Sequence, residues 1–177
     1  MKKLALTDFT KYRYPSALEL SPDGRYLTFA LKEVDREGDG YRWNLWLYDL
    51  ESRESRQITR GDVQRQAVWE DNTHILYKTT ELDEAMRARG FEEEWTVYHR
   101  LNVCTGEECE AFRLPMSVSG LWKMDEGRYV FTGETHLDRP NLLELTGEAL
   151  EKELVRRQQT KGYKVLTELP LCENGVG

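Results

Sequence analysis

The chain has 177 residues, with 25 Lys and Arg against 32 Asp and Glu for a formal net charge of −7, and is long enough for one domain with its own core. Its 39% hydrophobic and 32% charged residues match a globular protein, no apolar run nears the roughly 18–20 residues of a membrane span, and its bases are scattered among acids where a nucleic-acid surface would need a basic stripe. Asp8 interrupts the basic N-terminus before an apolar leader can form, and an odd set of cysteines (Cys104, Cys109, Cys172) predicts a reducing, cytoplasmic setting.

The first predicted element is a hairpin over LSPDGRYLTFA, 20–30. Pro22 presets φ, Asp23 can bond its own backbone and Gly24 accepts a positive φ, so a turn is followed at once by a strand from Tyr26. A second hairpin, NLWLYDLESRESRQIT over 44–59, turns around 51–54. WEDNTHILYKT (69–79) then repeats the first plan with Asp71-Asn72 as its turn, and WTVYHRLNVCTGEECEAFRLP (95–115) repeats the second with a turn at 105–107. MDEGRYVFTGE (124–134) opens the plan a third time with Glu126-Gly127, and Asp49 and Asn102 fall at matching places in the second hairpins. Four short strands recurring at roughly 50-residue intervals are the mark of propeller blades, because one four-stranded sheet cannot bury both faces alone. Leu27, Phe29, Leu45, Leu47, Leu76 and Val130 are the expected packing positions. A generic antiparallel sandwich also yields short strands and turns, but here strand pattern and spacing repeat together.

Two stretches break the pattern. ELDEAMRARGFEEEW (81–95) has weak helical character ended by Gly90, and 147–160 is the clearest helix. Thr146 is its candidate N-cap, Ala149, Leu150 and Leu154 lie on one side, and Glu148/Lys152 and Glu153/Arg157 are i,i+4 pairs. The expected fold is therefore all-β: about two and a half four-stranded blades of a propeller, with a helical insertion in the third. One incomplete domain, 1–177, is divided into blade one (about 14–60), blade two (about 64–115) and a partial blade three (about 118–177). Two and a half blades cannot close a ring, so the sequence reads as the N-terminal piece of a longer protein. Its open strand edges are expected to promote self-association.

FTKYRYPSALELSPDGRYLTFAL…NLWLYDLESRESRQIT resembles the opening of the N-terminal propeller of prolyl oligopeptidase-family serine peptidases, above all the acylaminoacyl-peptidase and dipeptidyl-aminopeptidase-like members. WTVYHRLNVCTGEECEAFRLPMSVSGLW is similar to their second blade and YKVLTELPLCENGVG to the segment returning to their third, so the resemblance runs from about Leu6 to Gly177. It implies a propeller that gates peptide access to an α/β-hydrolase domain with a Ser–Asp–His triad. The implied partners are a peptide substrate and the remainder of that parent protein. The chain itself holds no catalytic residues by this reading: Ser117-Val118-Ser119-Gly120 lacks the leading glycine of a G-x-S-x-G elbow. The alternative is a truncated TolB-like propeller that binds proteins or peptides, since SPDG-type hairpins occur there too, and a further rival is a free-standing small β-domain.

Glu92-Glu93-Glu94, between Phe91 and Trp95, is the one candidate substrate contact. Some dipeptidyl-peptidase relatives hold the substrate's α-amine with a Glu pair on a propeller insertion, which on this chain points to Glu93 and Glu94, and a carboxylate pair suits an ammonium. An acidic, solvated loop is the plainer reading. DREGDG (35–40) fails as a calcium loop at Glu37 and at Trp46, where a bidentate Glu is required. His74, His99 and His136 show no metal spacing, and His74 and His99 read as half-buried sheet residues. Cys104 and Cys109 read as incidental small residues, and the five tryptophans as core and inter-blade packing. No cofactor or metal is expected.

Overall fold

The computed structural model describes residues 5, 8–35, 37–125, 127–134 and 139–160, in two compact units, 1–135 and 136–177. The first unit holds ten antiparallel strands among its described residues. Blade one is a four-stranded sheet, β1 (Tyr14–Leu20), β2 (Tyr26–Asp35), β3 (Gly40–Asp49) and β4 (Glu54–Gln57), in that spatial order. Blade two repeats it with β5 (Ala67–Trp69), β6 (His74–Leu82), β7 (Glu94–Asn102) and β8 (Glu108–Leu114). A third sheet has two strands among the described residues, β9 (Ser117–Asp125) and β10 (Arg128–Glu134). A single turn of helix, α1 (Glu84–Arg87), lies between β6 and β7.

In the first two copies of the repeat read from the sequence, residues at matching places close the turns. In the β1–β2 turn, Gly24 has φ +74°, the Gly24 N–H donates to the Ser21 carbonyl (2.9 Å), and Asp23 accepts from the Arg25 N–H (3.1 Å). In the β5–β6 turn Asp71 accepts from the N–H groups of Thr73 and His74, both at 2.7 Å. Tyr26 stands opposite Asp49 and His74 opposite Asn102. Beyond each pair, Leu50 donates to the Arg25 carbonyl (3.0 Å) and Val103 to the Thr73 carbonyl (2.8 Å). Asp49 then caps the next turn by accepting from the N–H groups of Glu51 and Ser52. Asn102 does the same for Cys104 and Thr105, where Gly106 takes φ +79°. Short polar side chains that bond the backbone two and three residues on are what such turns require.

Residues directly opposite each other in a pair of strands share a face. Thr28 faces Leu47 and Ala30 faces Leu45, and all four are buried. Ala30, Leu45 and Leu47 pack with Ala67, Trp69, Ile75, Tyr77, Leu101 and Val103 of blade two into one core. The other face of blade two, with Leu76 and Tyr98, packs on Val118 and Leu121 of the third sheet, with Phe112 and Tyr129 alongside. Sheets stacked face to face in chain order are propeller packing. Leu45, Leu47 and Leu76 are buried as expected, whereas Leu27 and Phe29 are only half-buried. The blade-two-facing side of β2 belongs to Thr28 and Ala30, whose small volumes let the two sheets approach. Val130 is 48% exposed: it stands opposite Trp122 on the side of the third sheet turned away from blade two, while Leu121 and Tyr129 face inward.

The linker between blades one and two is pinned to β3. Asn44 Nδ2 donates to Asp62 Oδ1 (2.7 Å), the Asp62 N–H donates back to Asn44 Oδ1 (3.1 Å), and the Leu45 N–H donates to Thr59 Oγ1 (2.8 Å). The second unit contains a turn of 3-10 helix (Leu142–Glu144) and α2 (Gly147–Thr160), the helix expected over 147–160. Both expected ion pairs form, Glu148–Lys152 at 2.8 Å and Glu153–Arg157 at 2.9 Å. Leu142 and Leu154 are fully buried. Residues 163–177, expected to re-enter a third blade, lie outside the described residues, as do His136 and Cys172. No described helix is long and apolar enough to cross a membrane.

Candidate functional site

The acidic stretch lies in the β6–β7 connection. Asp83 caps α1 by accepting from the Met86 N–H (2.9 Å) and takes a further bond from the Trp95 indole (3.4 Å). Its own N–H donates to the Glu93 carbonyl (2.9 Å). Gly90, at φ +81°, turns the chain after the helix. Glu93 is half-buried just before β7, and Glu94 is the exposed first residue of that strand, opposite Leu82. Glu92 is exposed.

The remaining candidates take structural places. Asp35 accepts from the Glu37 N–H (3.2 Å), and residues 37–39 form the turn between β2 and β3. His74 Nδ1 lies 2.9 Å from Asp71 Oδ2 and its Nε2 lies 3.2 Å from Asn102 Nδ2, which ties the two turns of blade two together. Burial pushes the Asp71 carboxyl up, but bonds from the Thr73 and His74 backbone and side chains outweigh it and bring it down to about 2. Cys104 and Cys109 are exposed free thiols; Cys109 stands opposite Arg100, out of register with Cys104 in the turn. Ser119 sits on a strand and donates to the Thr132 carbonyl (3.1 Å). Among the described residues there is no group of three or more His, Cys, Asp or Glu placed to hold a metal.

Between blade two and the third sheet, Glu70 takes two cross-sheet bonds, from Tyr129 and Lys123, and is braced by Arg100 of its own blade. Arg100 forks onto its carboxylate (Nη2 to Oε1, 2.8 Å), the Tyr129 hydroxyl donates to it (2.5 Å), and Lys123 donates to its carbonyl. Burial raises the Glu70 carboxyl, and the Arg100 and Tyr129 hydrogen bonds overcome that and hold it below its ordinary value.

A cleft of about 600 Å³ opens between blades one and two, lined by β4, the 58–64 linker and the blade-one-facing side of β6, β7 and β8. On its wall Thr79 Oγ1 lies 3.0 Å from His99 Nε2, and His99 Nδ1 lies 3.3 Å from Glu108 Oε1. The Tyr77 ring stacks on His99 with centroids 5.5 Å apart. Burial first, then the hydrogen bond to Glu108, hold the Tyr77 phenol well above its ordinary range. Arg56, Arg60 and Gln64 line the same cleft. Sequence reading places His99 in the sheet but misses this grouping. The missed signal is register: Tyr77 stands opposite His99 and Leu101 opposite Glu108, so Thr79, His99 and Glu108 share one face.

No family model matches the chain, and no curated protein matches its sequence. Solved structures do match by shape. The β-propeller domain of the Trilobed protease from Pyrococcus furiosus, which has an open velcro topology, is similar with a TM-score of 0.50 and 13% identity over 70% of this chain and 34% of that one. The Pyrococcus horikoshii acylaminoacyl peptidase is similar with a TM-score of 0.53 and 15% identity over 75% of this chain and 20% of that one. This chain thus spans about a third of the first structure and a fifth of the second. Two stacked four-stranded sheets whose inner hairpins share a register, a third hairpin packed on the second of them, and these two matches together establish that the chain has the β-propeller fold found in these peptidases.

Proposed function

We propose that this chain is the N-terminal propeller segment of a prolyl oligopeptidase-family serine peptidase, and that in the parent protein it limits which peptides reach an α/β-hydrolase active site cleaving aminoacyl or acylaminoacyl peptides. The observation that carries this reading is the run of blades: 75% of the chain follows part of an acylaminoacyl peptidase structure, and the SPDG-type hairpin that opens the resemblance closes on the bonds that define the repeat. The segment contributes walls, not catalysis. Glu93 and Glu94 are its proposed amine contacts, in the connection where blade two is longer than blade one. The proposed compartment is the cytoplasm. We also infer self-association through the outer edge of β10, which no described strand pairs.

The test has two arms. The coding sequence that follows must supply further blades and a hydrolase domain; repeats followed by a stop codon would favour a TolB-like binding module instead. In the resulting peptidase, deleting 1–135 is expected to admit peptides too large for the intact enzyme. An unchanged size limit would overturn the gating role.

A further inference from the structure

A cavity of about 270 Å³ lies between the third sheet and the face of blade two that packs on it. It is smaller than the roughly 300–1,000 Å³ of drug-sized sites, which suits it to a ligand of a few carbons. Register builds its walls. Leu76 stands opposite Val68, and Lys78, two residues on along β6, stands opposite Tyr98. Residues two apart on a strand, and residues paired across two strands, share a face. An ammonium and a phenol are therefore neighbours beside an apolar pair. Leu121 of β9 lines the cavity from the third sheet, and Arg65, just before β5, lines it as well.

The two polar neighbours have fewer partners than their chemistry calls for. Lys78 is half-buried, and its ammonium donates to the Val118 carbonyl. An ammonium has three N–H donors. No Asp or Glu lines the cavity among the described residues, and Lys78 forms no ion pair with any of them. The charge that bears on it is a second cation, Arg65, whose guanidinium is stacked over the Trp43 ring at 4.1 Å. Burial first, then Arg65, hold the Lys78 amine below its ordinary value. A cation withdrawn from water without a counter-charge is costly.

Tyr98 is only 3% exposed. Its hydroxyl has no hydrogen-bond partner among the described residues, and burial alone pushes the phenol up to about 12. Yet the hydroxyl is not sealed: the fully enclosed side-chain atoms without a partner are the Trp46 indole nitrogen and Gln64 Oε1. The little surface that Tyr98 keeps thus includes its hydroxyl, on a residue that lines the cavity.

We propose that this cavity binds a short-chain carboxylate, whose oxygens take the remaining Lys78 N–H groups and the Tyr98 hydroxyl while its carbons lie on Val68, Leu76 and Leu121. A singly charged group matches one half-buried ammonium, and apolar walls favour a carbon chain over sulfate or phosphate, which carry oxygen on every side. Arg65 adds positive potential and need not touch the ligand. The site is built from blade two and the third sheet alone and does not depend on the peptidase reading.

The full chain is titrated with butyrate, acetate, butyramide, sulfate and trialanine, followed by calorimetry and ¹⁵N-resolved NMR. Butyrate is expected to bind about tenfold more tightly than acetate, for two further buried methylenes, with shifts at 65–68, 76–78, 98 and 118–121. Butyramide and sulfate are expected not to saturate. Trialanine binding beside butyrate identifies a peptide C-terminus as a source of the carboxylate, and butyrate binding alone identifies a free acid. Tyr98→Phe removes only an unpartnered hydroxyl, so it should leave the urea midpoint unchanged while costing about fivefold in butyrate affinity. Lys78→Met is expected to abolish saturation, and Arg65→Gln to cost about threefold, an effect that fades with added salt. Sulfate or butyramide binding as well as butyrate would overturn the proposal. So would shifts confined to other residues, no saturation by about 10 mM butyrate, or an unchanged affinity in Tyr98→Phe. If Lys78→Met fails to fold, Tyr98→Phe and the shift map of the unaltered chain decide.

Discussion

Asn102 and Asp49 do the same work with different chemistry, one a neutral amide and the other a carboxylate, each accepting from two backbone N–H groups of the turn beyond. Removing such a cap exposes donors the turn cannot satisfy, so Asn102→Ala is expected to cost about 1 kcal/mol and Asn102→Asp much less, read from urea midpoints. Asp71 adds a pH signature. Its carboxyl is held at about 2 in the folded chain, below its ordinary value of 3.8. The stability it contributes is therefore complete above pH 4 and lost as pH falls from there through about 2. The stability gap between the unaltered chain and Asp71→Asn is expected to be constant from pH 7 to 5 and to narrow below pH 4. These turns are the most legible part of the sequence, because Asp, Asn and Gly act on their own neighbours and need nothing distant to take effect.

At the level of strands and sheets, long-range packing decides. Trp69 is 7% exposed, stacks on Tyr26 across the blade junction at 6.4 Å, and donates its indole N–H to the Glu19 carbonyl at 3.2 Å. Trp69→Ala is expected to cost about 3–5 kcal/mol, the usual loss for a large buried aromatic, with blades one and two losing hydrogen-exchange protection together. Glu70→Gln is expected to loosen the junction with the third sheet, because it weakens the Tyr129 bond across it and the Arg100 fork that holds the Glu70 carboxylate in place. In the unaltered chain the same junction should loosen in acid, once pH drops below about 4, the ordinary glutamate range, toward the lowered value of Glu70. Here sequence reading stops short. Tyr26-Leu27-Thr28-Phe29-Ala30-Leu31 offers apolar groups to both sides, so alternation locates the strand without saying which side meets the next blade. The larger Leu27 and Phe29 invite the choice that the small Thr28 and Ala30 actually take. The cleft was illegible for a related reason: Thr79, His99 and Glu108 belong to three strands, and only their register makes them neighbours.

At the scale of the whole molecule, the chain alone is expected to leave alanine and N-acetyl-alanine p-nitroanilides unhydrolysed. Turnover sensitive to a serine-directed phosphonate would overturn the proposal that the segment contributes no catalysis. Light scattering is expected to show concentration-dependent association that a charged residue in the β10 edge, such as Thr132→Lys, suppresses; a monomer at all concentrations would count against the open edge. The shared register of the inner hairpins reaches further. At one rim both blades close on the same joint, Tyr26 with Asp49 and His74 with Asn102, fastened by the Leu50 and Val103 N–H bonds. At the other rim the connections differ: a tight turn joins Asp35 to Gly40, whereas Leu82 and Glu94 are bridged by a longer path with its own capped helix. A blade built this way can take on new sequence at one end without disturbing how the other is latched. Novelty in this architecture therefore has an address, the rim that holds the acidic stretch.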